Sequence, residues 1–260
     1  MNIINLINTI PKVNYKIGRD GYSIKAIVCH ITGDSNAQQA LHFFQNPAAV
    51  VSSHYIIEKD GTIEMCVDPN NKAYHCGIVN SPTAKIYFDL NQTNPNIYTI
   101  GIECVSSGEK LTDIQYKNLK ELIIKLCNDF KIPTNRYNII GHYELDSIDR
   151  KFDPISSYSV DILVNDVNFL KTINKLASSP DYWINNCIAG KTINGLYMNQ
   201  IIIKFVNLFK PVSDFQSAIN YLVSVKIISS PAYWITNCVA GKNCQGDYCK
   251  ILIQNMGTKL

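Results

Sequence analysis

Two short stretches concentrate the residues that could do chemistry. Ile27-Val28-Cys29-His30 ends an apolar, β-prone run on a histidine, and Gly141-His142 does the same before Lys151-Phe152-Asp153-Pro154. The carboxylate of Asp153 follows His142 by eleven residues. Two imidazoles and one carboxylate form a natural ligand set for a catalytic zinc, whose fourth position stays open to water. A metal-dependent hydrolase is therefore the leading expectation. The plain alternative is that His30 and His142 are hydrogen-bonded histidines at strand ends.

Those residues must be positioned by regular elements, and the first 158 residues alternate strand and helix signals. Ala26 to Ile31 reads as a buried strand, and Gln38 to Phe44 as a short helix ending before Pro47. Val50 to Glu58 and Thr62 to Val67 read as strands joined at the Lys59-Asp60-Gly61 turn. Thr99 to Val105 and Tyr137 to Gly141 are two further strands. Between them, Thr112 and Gln115 form a capping box that opens a helix whose apolar residues Leu119, Leu122, Ile123 and Leu126 fall at helical spacing. Pro133 is the expected stop. This pattern predicts an α/β domain, a mixed central sheet flanked by helices, over residues 1–158.

The remainder, 160–260, is a duplication. Ser178-Ser-Pro-Asp-Tyr-Trp-Ile-Asn-Asn-Cys-Ile-Ala-Gly-Lys191 recurs 51 residues later as Ser229-Ser-Pro-Ala-Tyr-Trp-Ile-Thr-Asn-Cys-Val-Ala-Gly-Lys242. Helix-like segments flank each copy, at 167–176, 198–208, 215–225 and 249–256, and Pro at a first helical position suits both Ser-Ser-Pro starts. A small all-α domain of two repeats (about 165–209 and 213–260) is expected, each copy burying its apolar face on the other. Trp183 and Trp234, the only tryptophans, occupy the same repeat position and suit either core anchoring or stacking on sugar rings. Cys187 and Cys238 are also equivalent and fit core packing better than a metal or disulfide pair.

Composition bounds the function class. Hydrophobic residues make up 46% and charged residues 17%, as in an ordinary globular protein. The net charge of +3 is too small to argue for nucleic acid. No apolar run reaches the 18 residues of a membrane span, so no membrane insertion is expected. Residues 1–159 carry 15 basic and 16 acidic side chains, whereas 160–260 carry nine lysines against five aspartates, a mild bias towards an anionic surface. Nine cysteines without a framework spacing read as reduced thiols, and Met1 to Lys12 lacks the pattern of a secretory signal.

Five motifs in order are similar to one family. They are Ala26 to His30, Ser52-Ser53-His54-Tyr55-Ile56-Ile57 with Asp60-Gly61, Ala73-Tyr74-His75-Cys76-Gly77, Ile100-Gly101-Ile102-Glu103, and Gly141-His142 with Lys151 to Pro154. Over residues 20–158 the chain resembles the zinc-dependent N-acetylmuramoyl-L-alanine amidases of the type-2 family, relatives of the peptidoglycan recognition proteins. The resemblance implies Zn2+ held by His30, His142 and Asp153, and Glu103 as general base. It implies Lys151 as the oxyanion-stabilising cation and His75 as a substrate contact. Ser53 stands where some relatives carry a tyrosine that supports catalysis, so the resemblance does not carry a tyrosine-assisted mechanism onto this chain. His54 reads as structural, and His42 as a packing residue in the short helix. Cys29 and Cys104 neighbour His30 and Glu103, but strand alternation turns them to the opposite face, which argues against a cysteine hydrolase.

The resemblance implies cleavage of the amide between N-acetylmuramic acid and L-alanine in the peptidoglycan of a Gram-positive cell wall. The duplicated tail is similar to the wall-binding ends of some phage endolysins, and the repeats could also pair two chains as a homodimer. A phage or prophage lysin, made in the host cytoplasm and acting on the wall after release, is the expected setting. A non-catalytic recognition protein on the same fold is the alternative; it would need neither the ligand set nor Glu103. A zinc amidase acting in soluble muropeptide recycling would not need an anchoring tail.

Overall fold

A computed structural model describes residues 2–260 and divides the chain into two compact units, one ending at Val164 and one spanning Asn165–Leu260. Met1, the first residue of the expected hydrolase domain, lies outside the described residues. The first unit contains β1 (Ile3–Asn5), β2 (Tyr15–Lys16), β3 (Ala26–Ile31), α1 (Ala37–Gln45), β4 (Tyr55–Ile57) and β5 (Ile63–Met65). It continues with β6 (Lys72–Ala73), α2 (Lys85–Asp89), β7 (Thr99–Cys104), α3 (Asp113–Phe130) and β8 (Ile139–Gly141).

Six of these strands form one mixed sheet in the order β1-β5-β4-β7-β3-β8. The pairs β4·β7, β7·β3 and β3·β8 are parallel, and β4·β5 is the antiparallel hairpin turned at Gly61, whose φ is 86°. Parallel neighbours need crossover connections, which α1 and α3 supply. The central strands are covered on both sides, so β3 is a run of buried residues rather than an alternating one. Ala40 and Phe44 of α1 pack with Ile56 on one face. Thr112 and Gln115 form the expected capping box of α3, and Gln115 Nε2 also donates to the carbonyls of Ile57 and Val105 at 3.0 Å each. The helix ends at Lys131, which takes a left-handed conformation two residues before Pro133.

The expected strand from Val50 to Glu58 is shorter, because the backbone before His54 leaves the central sheet. Val50 has a φ of 51° and Ser52 N–H donates to Tyr74 O, whereas His54 N–H already bonds Gly101 O of β7.

The division after Val164 falls within α4 (Val160–Leu176). The second unit continues with α5 (Pro180–Asn186), β9 (Thr192–Asn194), α6 (Gly195–Asn207), α7 (Phe215–Ser224), α8 (Pro231–Asn237), β10 (Asn243–Gln245) and α9 (Gly246–Gly257). It is helical, as expected, with one addition: β9 and β10 form an antiparallel ribbon between the repeats. Ile193 pairs with Cys244, its equivalent 51 residues on, so the ribbon is centred on a local twofold axis. Gly195 N–H donates to Lys242 O and Gly246 N–H to Lys191 O, the same contact made twice. A β-carbon at either glycine would lie 2.2 or 2.1 Å from the opposite repeat's Asn237 or Asn186 carbonyl oxygen, so only glycine fits. Trp183 and Trp234 are buried in the shared core with Cys187, Cys238 and Phe205. Among the described residues, no helix is long and apolar enough to cross a membrane.

Candidate active site

The sheet register builds the site. His30 lies opposite Glu103 in the β3·β7 pairing, and Cys29 lies opposite Gly141 in β3·β8, which puts His142 level with His30. Glu103, His30 and His142 thus stand in a row on one face at the carboxyl ends of three parallel strands. Such strand ends are where open α/β sheets bind their ligands. Cys29 and Cys104 occupy the opposite parity and are fully buried. Burial pushes the Cys29 thiol up to about 12 and the Cys104 thiol well above its ordinary value, so neither offers a thiolate nucleophile.

Asp153 arrives from the segment after β8. Its carbonyl accepts from Tyr143 N–H, and its Oδ1 accepts from Ile31 N–H at 2.7 Å. Oδ2 is thereby aimed at the two histidines. The three atoms His30 Nδ1, His142 Nδ1 and Asp153 Oδ2 lie 3.0, 2.9 and 3.4 Å apart.

The hydrogen-bond network assigns the tautomers. Thr99 Oγ1 donates to Pro95 O at 2.7 Å, so it accepts from His75 Nε2 at 3.2 Å. His75 Nδ1 is then a bare acceptor, and His30 Nε2 donates to it at 3.1 Å. His142 Nε2 donates to Cys76 O at 3.0 Å. In the neutral rings this leaves both Nδ1 atoms without a proton. Burial, and next the neighbouring His142, lower the His30 pKa to about 4, so this ring is neutral near pH 7.

Two imidazole lone pairs and a carboxylate oxygen therefore face one another with no proton between them. That arrangement is repulsive without a cation. A tetrahedral ion with ligands at about 2.0–2.1 Å would separate them by about 3.3 Å, close to the spacings found, so the donor set fits zinc. Among the described residues these three are the only side chains grouped closely enough to hold a metal ion.

Glu103 borders the same cavity, of about 290 Å³, as the three metal-ligand candidates. Its Oε2 is closed off from water and has no hydrogen-bond partner. Burial, and next the Asp153 charge, push its carboxyl well above the ordinary range, with Arg150 opposing. His75, expected as a substrate contact, lines the cavity as well, is 7% exposed and has both nitrogens engaged inside the protein. It packs flat against β7, where a β-carbon at Gly101 would lie 2.5 Å from its ring, and its Nδ1 holds the orientation of His30. Lys151, expected at the oxyanion, is exposed with its ammonium 5.0 Å from the Phe152 ring centre. Its neighbour Arg150 lines the cavity. His54 is structural, as expected: its Nδ1 accepts Gly101 N–H at 2.9 Å. Sequence reasoning missed Arg150, Phe43 and Tyr74 as cavity residues; only the pairing of Arg150 with Lys151 in one short charged run hinted at the first.

Fold and site together define an α/β domain in which two histidines and one carboxylate, a group that could hold a metal ion, stand beside a buried carboxylate. A family model described as N-acetylmuramoyl-L-alanine amidase, Amidase_2, matches residues 20–156, and the chain belongs to that family. It is 36% identical over 106 residues to the 1,6-anhydro-N-acetylmuramyl-L-alanine amidase AmpD of Haemophilus influenzae, covering 40% of this chain and 52% of that protein. It is 35% identical over 97 residues to N-acetylmuramoyl-L-alanine amidase A of Achromobacter lyticus, covering 37% and 44%. The chain thus spans about half the length of the curated relatives it matches. Among solved structures, the catalytic domain of XlyA is 22% identical, with 58% of this chain and 92% of that one covered at a TM-score of 0.42.

Proposed function

We propose that this protein is a zinc-dependent N-acetylmuramoyl-L-alanine amidase. It would cleave the bond between the lactyl group of N-acetylmuramic acid and L-alanine in a Gram-positive cell wall. The observation that carries the reading is the convergence of two imidazole nitrogens and a carboxylate next to Glu103. Bound there, zinc would supply a water of lowered pKa and polarise the scissile carbonyl. His30, His142 and Asp153 would hold it, with His75 and the Cys76 carbonyl fixing the ring orientations.

Glu103 has the attributes of a proton carrier: a closed-off oxygen without a partner and a raised pKa that favours accepting a proton. In this reading it takes the proton of the attacking water and returns it to the leaving amine. Arg150, on the cavity wall, is better situated than Lys151 to face the negative charge that develops on the carbonyl oxygen. Phe43 and Tyr74 give the cavity an apolar wall against which a peptide stem can lie. The duplicated unit, with its lysine excess, supports anchoring to an insoluble wall and hence a phage or prophage lysin.

Metal analysis and lysis assays on three proteins test this. The wild type should hold one zinc per chain, lose lysis on chelation and regain it with zinc. His30→Ala/His142→Ala should hold none. Glu103→Gln should keep fold and zinc while losing roughly 10²–10⁴-fold in rate. Stoichiometric metal in the double variant, or near-normal rates in Glu103→Gln, would contradict the assignment.

A further inference from the structure

The second unit carries two cavities built from equivalent residues. One, of about 370 Å³, is bordered by Ser178, Ser179, Tyr182, Trp183 and Tyr197. The other, of about 280 Å³, is bordered by Ser229, Ser230, Tyr233, Trp234 and Tyr248, each 51 residues further on. The inner tyrosines are fixed the same way: Tyr182 OH accepts Asn194 N–H at 3.3 Å, and Tyr233 OH accepts Gln245 N–H at 2.7 Å. Against each stands an outer tyrosine edge-on, with ring centres 5.6 Å apart for Tyr182–Tyr197 and 5.1 Å for Tyr233–Tyr248. The inner rings also meet the buried tryptophans edge-on, at 5.8 and 5.0 Å. Tyr197 and Tyr248 remain 50% and 45% exposed.

Core packing explains the tryptophans, which are 5% and 8% exposed, but not the outer tyrosines. An aromatic wall with serine hydroxyls at its rim offers an apolar face and polar edges together. A pyranose ring has that same division, C–H groups on its faces and hydroxyls around its edge. The two pockets differ at one charged position. Lys204 lines the first, and Asn255 its equivalent in the second. Lys204 Nζ donates to Leu176 O at 3.2 Å, and an ammonium has further donors to offer an anionic substituent. Around them the segment 160–260 holds nine lysines, five aspartates and no glutamate.

We propose that the pockets are paired subsites, each seating one sugar ring of an anionic wall glycopolymer, with the charged group of one ring at Lys204. A repeating polymer presents the same unit many times, so two twofold-related pockets on one rigid unit bind it with avidity. Trp183 and Trp234 then floor the pockets rather than stack directly on ligand. The proposal rests on the reading that the first unit is a wall amidase.

The test uses the full chain, sedimented with isolated Gram-positive walls in the cold, and in parallel its hydrolysis of soluble muropeptides. Tyr197→Ala and Tyr248→Ala should each weaken wall binding at least tenfold. The double variant should fall to background, while circular dichroism and soluble hydrolysis stay at wild-type values. Lys204→Gln should weaken binding several-fold and flatten its salt dependence. Walls stripped of phosphodiester-linked polymers by hydrofluoric acid should no longer retain the protein. A folded double variant that binds walls like wild type would overturn the pocket assignment alone. Full binding to stripped walls would overturn the anionic polymer as ligand. A wild type that hydrolyses soluble muropeptides yet ignores walls would overturn the wall subsites and leave the amidase reading standing.

Discussion

Replacing His75 with phenylalanine tests the tautomer argument on which the metal site depends. A phenyl ring keeps the flat packing on Gly101 but removes the acceptor for His30 Nε2–H and the donor to Thr99. His30 then either leaves a buried N–H unpaired or moves its proton to Nδ1, the atom aimed at Asp153 and His142. An unsatisfied buried donor costs about 1–3 kcal/mol. Loss of an outer partner of a metal-bound imidazole weakens affinity about 10–100-fold, which is about 1.4–2.7 kcal/mol. The two estimates agree, so zinc affinity in His75→Phe should fall by one to two decades. Competition against a chromophoric chelator measures this directly. His75→Gln, whose carbonyl can accept from Nε2–H, should recover part of the loss, which a merely structural role would not produce. Wild-type zinc affinity in a folded His75→Phe would refute the tautomer assignment.

Arg150→Met should lower turnover about tenfold or more, because the charge it faces develops only in the transition state, whereas Lys151→Met should change turnover less. Steady-state kinetics on soluble muropeptides compares them, and the reverse order would return the role to Lys151. The metal-free protein should also lose stability as pH falls. His30 has a folded pKa of about 4 against 6.5 for the ordinary ring, so between those values the unfolded chain binds the extra proton. The neutral ring's contribution is fully present above pH 6.5 and lost on approaching pH 4, by about 3 kcal/mol. His54 and His75, both held well below the ordinary value by burial, act in the same direction. Melting temperatures in chelator between pH 7 and 4 should fall less steeply for His30→Asn than for wild type, and equal slopes would contradict the attribution.

Much of this was legible because strand endings are written in the sequence. The apolar run closing on His30, the one closing on Gly141-His142, and Glu103 inside Thr99 to Val105 place three side chains once the strands pair in parallel register. The capping box at Thr112 and Gln115 and the Ser-Ser-Pro helix starts are local features and appear where expected. What stayed hidden depends on contacts distant in sequence. The position of His75 beneath β7 requires Gly101 and Thr99, more than twenty residues away. Arg150 and Lys151 are adjacent cations, and only the path of the chain into Asp153 decides which one borders the cavity. The β9–β10 ribbon joins two three-residue strands too short to show a period, through pairings across the duplication.

The central claim is that this site opens one particular amide bond. Mass spectrometry of the products released from purified Gram-positive peptidoglycan tests it most directly. The account predicts peptides with a free L-alanine amino terminus, and glycan strands with intact lactyl groups and no new reducing ends. New reducing sugar ends, or peptides cut within the stem while alanine stays joined to muramic acid, would contradict it.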